Sequence, residues 1–375
     1  MPASDKHLHI VSFDIPYPAS YGGVIDVYYK LKALHEAGVK IHLHCYEYGR
    51  QRATELNSIC ESVEYYKRTV FKNPFYGSLP YIVSSRNTKE LLQNLLADNH
   101  PILFEGLHTC YYLTEPLLKD RVKIVRTHNV EHHYYRSLER VESNYFKKYF
   151  FNREAERLKK FQQKLSHATH IAAISKPDTT YFGKRFPQTF HLPPFHPNTV
   201  VDSHSGKGDF VLYHGNLGVG ENDEAARFLV QEVWTEDFGA KLVIAGNNPS
   251  KQLKRLCENR PDIKLESRLD TEGIMKLINE AHINLLPTFQ ATGIKLKLLN
   301  ALYNGRHCLV NTPMVKNTGL EQLCTVATDA AGFRKSIHLL MKKNWDEKMT
   351  AERSEILVPS FSIANSAATL LQKVW

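Results

Sequence analysis

Short apolar runs alternate with helical stretches along this chain, and the alternation runs twice, broken once by a proline-rich segment. That pattern dictates a parallel sheet with helices on both faces, because a strand followed by a helix can only bring its next strand back beside the first. In the first run, strands are expected at His7–Phe13, Lys40–Tyr46, Ser62–Tyr66, Ile102–Glu105, Lys123–Thr127 and His170–Ile174, with helices at Val24–Ala37, Thr88–Asp98, Tyr145–Ser166 and Pro177–Phe182. Gly38 fits the position just past the first of these helices, where a left-handed residue ends the turn. The break is His191–Pro197, HLPPFHP, followed by a polar stretch from Asp202 to Gly208. The pattern then restarts with strands at Phe210–Tyr213, Lys241–Ala245, Ile263–Leu265, His282–Leu286 and His307–Val310, separated by helices.

Two such runs in 375 residues predict two domains, 1–196 and 197–357, with a C-terminal helix in 358–375 that packs back on the first. The fold class is α/β, with two Rossmann-like doubly wound domains facing across a central cleft, since open parallel sheets bind ligands beyond the carboxyl ends of their strands. A hydrophobic fraction of 42% and a charged fraction of 23% are those of a globular protein, which excludes wholesale disorder. No apolar run approaches the ~20 residues of a membrane helix, and the start MPASDKHLHIVSF lacks the pattern of a secretory signal, so the expected location is cytoplasmic. Six cysteines without a CxxC pair argue for reduced thiols rather than disulfides or zinc. Residues 1–196 hold 27 Lys and Arg against 19 Asp and Glu, so nearly all of the net charge of +9 sits in the first run. Such a surface suits an anionic membrane or an acidic substrate, and the absence of a recognisable module excludes nucleic acid as the expected partner.

The strand ends are where chemistry is expected. The first strand runs into DIPYPASYGG, whose Gly22 and Gly23 open a helix and let backbone amides approach a phosphate. Lys123–Thr127 runs into His128-Asn129-Val130-Glu131-His132-His133, which offers an imidazole and a carboxylate at one edge; three histidines in six residues also admit a metal, although no further ligand cluster supports one. Phe210–Tyr213 ends in His214-Gly215-Asn216, and a loop Arg268-Leu269-Asp270 follows the third strand of that run, where main-chain groups can read a base edge. In PTFQATGIKLKLLNALYNGRHCLVN, Pro287–Asn311, an apolar strand breaks at Gly293 and a helix begins at Ile294 with Lys295 and Lys297 beside its positive end. A phosphate or diphosphate suits that end; an ordinary strand-turn-helix with solvated lysines has the same signature.

The Gly-Gly loop, the strand end Thr127-His128, the Ala173-Ile174-Ser175 strand end, Tyr213-His214-Gly215-Asn216 and the block GIKLKLLNA from Gly293 together resemble glycosyltransferase family 4, the group 1 glycosyltransferases of the GT-B fold. The likeness spans nearly the whole chain and is strongest in the second run, where Lys295 stands at the family's arginine and Lys297 at its lysine. It implies a retaining, metal-independent enzyme with no cofactor, which moves a sugar from a nucleoside-diphosphate sugar to a glycan or polyprenyl-linked acceptor in cell-surface polysaccharide synthesis. It implies His128 and Lys295 as catalytic groups, the first near the transferred sugar and the second on the diphosphate leaving group. Donor contacts would come from Gly22, Gly23, Gly215, Asn216, Arg268, Asp270, Thr292, Gly293, Ile294, Lys297 and Asn300, and acceptor contacts from Tyr21, Asn129 and Glu131.

The chain departs from the family pattern at two positions. Members commonly carry two glutamates where Thr292 and Asn300 stand here; an asparagine still accepts a ribose hydroxyl, but a threonine supplies no negative charge near an oxocarbenium-like transition state. The basic pair often found after the first strand of the second domain is also missing from Leu217–Gly220. Two alternatives on the same fold therefore stay open: a catalytically weak nucleotide-sugar-binding protein, and a nucleotide-sugar epimerase. The mixed aromatic and basic runs Phe71–Tyr76 and Tyr145–Phe151 suggest peripheral contact with the inner membrane face.

Overall fold

The computed structural model describes residues 5–70, 77–142, 144–289 and 296–375. The chain divides into two compact units, Met1–Pro197 with Ile363–Trp375, and Asn198–Ser362. The first unit holds seven strands: β1 (His7–Ser12), β2 (Lys40–Glu47), β3 (Ser62–Lys67), β4 (Ile102–Glu105), β5 (Lys123–Thr127), β6 (His170–Ala173) and β7 (Thr189–His191). All pair in parallel in the order β3-β2-β1-β4-β5-β6-β7, so the order reverses beside β1. The second unit holds β8 (Phe210–His214), β9 (Lys241–Ala245), β10 (Ile263–Glu266), β11 (Ile283–Leu286), β12 (His307–Asn311) and β13 (Thr325–Ala327), ordered β10-β9-β8-β11-β12-β13. Both are open, doubly wound α/β sheets, as the alternating pattern requires.

Alternate residues of each strand feed opposite faces. In β1, Leu8 and Ile10 join Ile41, Leu43 and Leu103 under the helices Gly22–Glu36 and Ile363–Val374, which contribute Val27, Leu31, Leu34, Ala367 and Leu370. Val11 faces the other way with Tyr46, Phe104 and Val125, covered by Leu91, Leu95, Leu158 and Phe182. The C-terminal helix thus completes the core of the first unit. In the second unit, Val211, Tyr213, Leu242 and Ile283 meet Ala226, Leu229, Phe333 and Ile337 on one face, while Leu212, Val243 and Ala245 meet Ile278 on the other. The helix Gly22–Glu36 ends as its sequence requires: Gly38 takes φ +79°, and its amide reaches the His35 carbonyl at 2.9 Å.

Several elements differ from the sequence reading, among them the edge strand β13 at Thr325–Ala327, which it does not contain. Thr189–His191, of which the sequence reading takes in only His191, as the start of the linker, is the edge strand β7 against β6. Residues after His128 form the helix Glu131–Val141, which packs on Tyr145–Phe161. A helix Glu347–Phe361, with Pro359 in its last turn, precedes the C-terminal helix. The proline-rich stretch is not a solvated tether either: Leu192, Phe195 and His196 are fully buried.

Candidate active site

The carboxyl ends of β1, β4 and β5 converge on a group of buried charges. Asp26 and Lys30 lie one turn apart on the helix Gly22–Glu36, both with no exposed surface, and the Lys30 ammonium donates to Asp26 at 2.9 Å and to Glu105, the last residue of β4, at 2.6 Å. Arg126 of β5 forks onto Asp26 with Nη2 at 2.8 Å and Nε at 3.1 Å, and its Nη1 and Nη2 also reach the carbonyls of Leu192 and Pro193. The Phe195 amide donates to Asp26 at 2.8 Å, so the buried proline-rich strap is tied to the same carboxylate. Burial alone would raise the Asp26 carboxyl, but the Arg126 and Lys30 charges outweigh it and hold it well below the ordinary carboxylate range. Two carboxylates and two cations cancel, which is what makes their burial tolerable.

His128 caps this group. Its Nε2–H donates to Glu105 at 3.0 Å, while its Nδ1 lies 3.9 Å from Asp26 and has no hydrogen-bond partner. A buried ring nitrogen in that condition is a polar atom for a ligand hydroxyl to satisfy. Asp26, Glu105 and His128 have the donor atoms of a metal site. They do not suit one, because Lys30 already sits between the two carboxylates and Arg126 covers Asp26, so an added cation would meet like charges.

The other residues expected in the first unit fall around this centre. Asn129 is hydrogen-bonded through its side chain to Glu131, which opens the helix Glu131–Val141 and is buried. Burial, followed by the nearby charge of Asp178, pushes the Glu131 carboxyl up to about 8. Glu131 is therefore largely a protonated acid near neutral pH, able to donate rather than only accept. Tyr21 precedes the helix Gly22–Glu36 and donates its hydroxyl to Asp14 at 2.8 Å, while Asp14 also accepts from the Ile15 amide at 2.9 Å and so fixes the loop after β1. Gly22 and Gly23 begin the helix without a side-chain cap or an acidic residue in the first turn, which leaves its first amides open to an anion. A Cβ on Gly23 would come within 2.7 Å of the Phe13 ring.

In the second unit Gly215, Asn216 and Lys297 meet at the end of β8, while Arg268, Asp270 and Asn300 make their contacts elsewhere. Gly215 follows β8, its amide bonded to the Ala245 carbonyl at 3.0 Å, and Asn216 bridges the loop by accepting from the Gly218 amide at 3.1 Å. The backbones approach so closely here that a Cβ on Gly246 would lie 1.8 Å from the Gly215 carbonyl oxygen. Lys297, on the helix Leu296–Asn304, reaches across to this loop, donating to Asn222 at 3.0 Å with its ammonium 5.4 Å above the Tyr213 ring. That charge and burial push His214 down to about 3, burial being the larger cause, so its imidazole is neutral. Arg268 holds a left-handed φ of +65° and its amide donates to Asn247 at 2.7 Å. Asp270 spends one oxygen capping the helix Thr271–Glu280 through the Gly273 amide at 2.8 Å. The Asn300 amide oxygen accepts from Asn198 at 2.9 Å. Thr292, Gly293, Ile294 and Lys295 lie outside the described residues.

Sequence reasoning missed Asp26, Lys30, Glu105 and Arg126. The pair Asp26–Lys30 has the spacing of an ordinary surface salt bridge, and only the pairing of β4 and β5 beside β1 shows it to be buried.

Comparison with known proteins bears on both units. Residues 208–343 match the family model "Glycosyl transferases group 1". Over 351 residues the chain is 27% identical to the "Uncharacterized 44.6 kDa protein in cps region" of Klebsiella pneumoniae, covering 88% of this chain and 89% of that one. Its fold is similar to that of TarM, at a TM-score of 0.71 and 9% identity, over 100% of this chain and 99% of TarM. Sucrose-phosphate synthase from Thermosynechococcus elongatus is similar at a TM-score of 0.70 and 12% identity, over 98% of each chain. The family match and these folds agree with the two parallel sheets described above: the chain has a GT-B fold, and its residues 208–343 are similar to the group 1 glycosyltransferases.

Proposed function

We propose that this protein is a retaining, metal-independent glycosyltransferase that moves a sugar from a nucleoside-diphosphate sugar to a glycan or lipid-linked acceptor in cell-surface polysaccharide synthesis. The observation that carries the reading is Lys297, held by Asn222 at the carboxyl end of β8 inside the segment that matches group 1 glycosyltransferases. A cation fixed there suits a diphosphate. The relative in a cps region supports the polysaccharide setting, and S. aureus TarM, solved with UDP and alpha-GlcNAc-glycerol, supports a nucleotide-sugar donor.

In this reading the second unit holds the donor, with Gly215, Asn216 and Arg268 along it and Lys295 and Lys297 neutralising the diphosphate. The first unit takes the acceptor at Tyr21, Asn129 and Glu131, with His128 near the transferred sugar. The diphosphate departs as an anion stabilised by the lysines and helix amides, the acceptor hydroxyl attacks from the same face, and its proton passes to the leaving group. No cofactor is required. A panel of UDP-, GDP- and ADP-sugars, with NMR assignment of the product anomer and with EDTA present, tests donor, stereochemistry and metal independence together; full activity in Lys295→Ala would sink that residue's role.

One observation favours a second reading, a binding protein of low activity. The Asn300 oxygen that would accept a ribose hydroxyl already accepts from Asn198. Nucleotide-sugar binding by calorimetry without turnover on any acceptor would establish it, and turnover would exclude it.

A lipid-linked acceptor requires approach to a membrane, and no helix among the described residues is long and apolar enough to cross one. The helix Tyr145–Phe161 instead presents Tyr145 and Phe146, 86% and 84% exposed, beside exposed Lys147 and Lys148. Aromatic rings flanked by cations suit an anionic lipid surface. Co-sedimentation with anionic vesicles should weaken as salt rises; binding indifferent to salt would contradict this contact. The companion run at 71–76 lies outside the described residues.

A further inference from the structure

At the amino end of the first sheet, five histidines meet on one face. The two-residue strand period puts His7 and His9 of β1 on the same side as His42 and His44 of β2, and the register sets His9 opposite His42. His100, in the loop entering β4, stacks on His7 with ring centroids 4.6 Å apart and interplanar angle 12°. His7 Nδ1 and His42 Nε2 share a hydrogen bond at 2.9 Å. One ring nitrogen from each of His7, His42 and His100 lies within 4.8 Å of the others, and all three residues are partly exposed. We propose that His7, His42 and His100 form a binding site for one borderline divalent cation, zinc in the first place, at the end of the sheet opposite the sugar-transfer residues.

The chemistry fits at each level. Three imidazoles are a common ligand set for such a cation, with water in the fourth position. Bonds of about 2.0–2.1 Å in a tetrahedral site place ligand nitrogens about 3.3 Å apart, so His7 and His42 need separate by only a few tenths of an ångström as the metal replaces the proton between them. The other nitrogen of His42 is already fixed, 2.9 Å from the Ser62 hydroxyl, an outer partner that sets the ring so that Nε2 faces the site. Asp98 anchors the third ligand, accepting from the His100 amide at 2.9 Å, while its oxygens are also engaged by His9 at 3.0 Å and by Arg121 at 3.2 Å. His9 in turn is bonded to His44 at 2.8 Å, so these two imidazoles brace the site from within instead of ligating. Lys40 lies on the same face but turns its ammonium to Asp5 at 2.7 Å. A cation bound here would join β1, β2 and the lead into β4.

The test uses tag-free full-length protein, stripped of metal and titrated with Zn²⁺ by calorimetry and with Co²⁺ by visible absorption. The expected result is one saturable equivalent, a Co²⁺ spectrum of a nitrogen-ligated tetrahedral ion, and a melting temperature that rises with zinc. His42→Ala and His100→Ala should each weaken binding at least about tenfold. A His132→Ala, His133→Ala double variant should bind as the parent does. His100 is in a loop, so His100→Ala, with its metal-free melt checked against the parent, decides the matter if His42→Ala fails to fold. Absence of saturable binding by the parent, or unchanged binding in a folded His100→Ala protein, would overturn the proposal.

Discussion

Replacing Asp26 by asparagine keeps the side-chain volume and removes one charge from the buried group. Lys30 and Arg126 then face Glu105 alone, and an amide NH₂ is turned toward at least one of three donors that now converge on the carboxylate: Lys30, Arg126 and the Phe195 amide. Breaking one partner out of a fully buried ion group costs about 3–5 kcal/mol, more than a surface pair by several-fold. For a unit of this size urea acts with a slope of about 2–3 kcal/mol per molar, so the first unit should lose about 1.5 M in its unfolding midpoint. Circular dichroism gives the transition, and hydrogen exchange of peptides from β1, β4 and β5 assigns it to this unit. The pH dependence fixes the cause. Because the folded carboxyl is held below the unfolded value near 3.8, its stabilisation is complete above that value and fades as pH falls below it. The gap between parent and Asp26→Asn should therefore be the same at pH 8 and pH 5 and narrow only below about pH 4. A loss under about 1 kcal/mol, or a gap that closes by pH 6, would refute the account of a charge balanced by Lys30 and Arg126.

On the proposed reading, Lys297→Met should weaken binding of the donor's nucleoside diphosphate by ten- to a hundredfold, the loss of about 1.5–3 kcal/mol from a charge-assisted contact, with little change in melting temperature; unchanged affinity by calorimetry would remove Lys297 from the proposed donor site. Gly246→Ala drives a Cβ into the Gly215 carbonyl, so it should displace the loop after β8 and raise KM for the donor, and unaltered kinetics would show that the loop yields freely. Glu131 has a folded pKa raised to about 8, so its favourable contribution is full below the ordinary glutamate value and lost as pH rises toward 8. Glu131→Gln should flatten that decline by about 4 kcal/mol between pH 5 and 8.5, and superimposable stability curves would show the carboxyl to be ionised throughout.

The sheets were readable because a parallel strand is apolar on both faces: Ile102–Glu105 and Lys241–Ala245 stand out from their flanks by their apolar runs. The helix Glu131–Val141 did not, since EHHYYRSLERV is polar and aromatic on most sides and gains its place by packing on Tyr145–Phe161. HLPPFHP has the composition of a tether, yet its carbonyls are acceptors that Arg126 requires, and the strap is buried to supply them. His7-x-His9 and His42-x-His44 are visible as alternations, but nothing local joins 7 to 42 or either to 100; the register of β1 on β2 does that. At Asp270 the sequence suggested a donor contact and the structure shows a carboxylate capping the helix Thr271–Glu280, because a helix cap and a ligand contact ask for the same side chain.

The buried group also changes where the basic surplus of the first run can act. Asp26 and Glu105 cancel Lys30 and Arg126 within a few ångströms, so the residues beside His128 contribute almost no net field beyond the site. The surplus in residues 1–196 must then be carried by surface side chains such as Lys147 and Lys148, which stand clear of the sheet. Charges so exposed are screened over about 10 Å at 0.1 M salt, whereas contacts inside a buried group are not. The proposed approach to an anionic surface and the proposed chemistry at the strand ends would thus be separable by salt: ionic strength would act on docking and leave the geometry around His128 untouched.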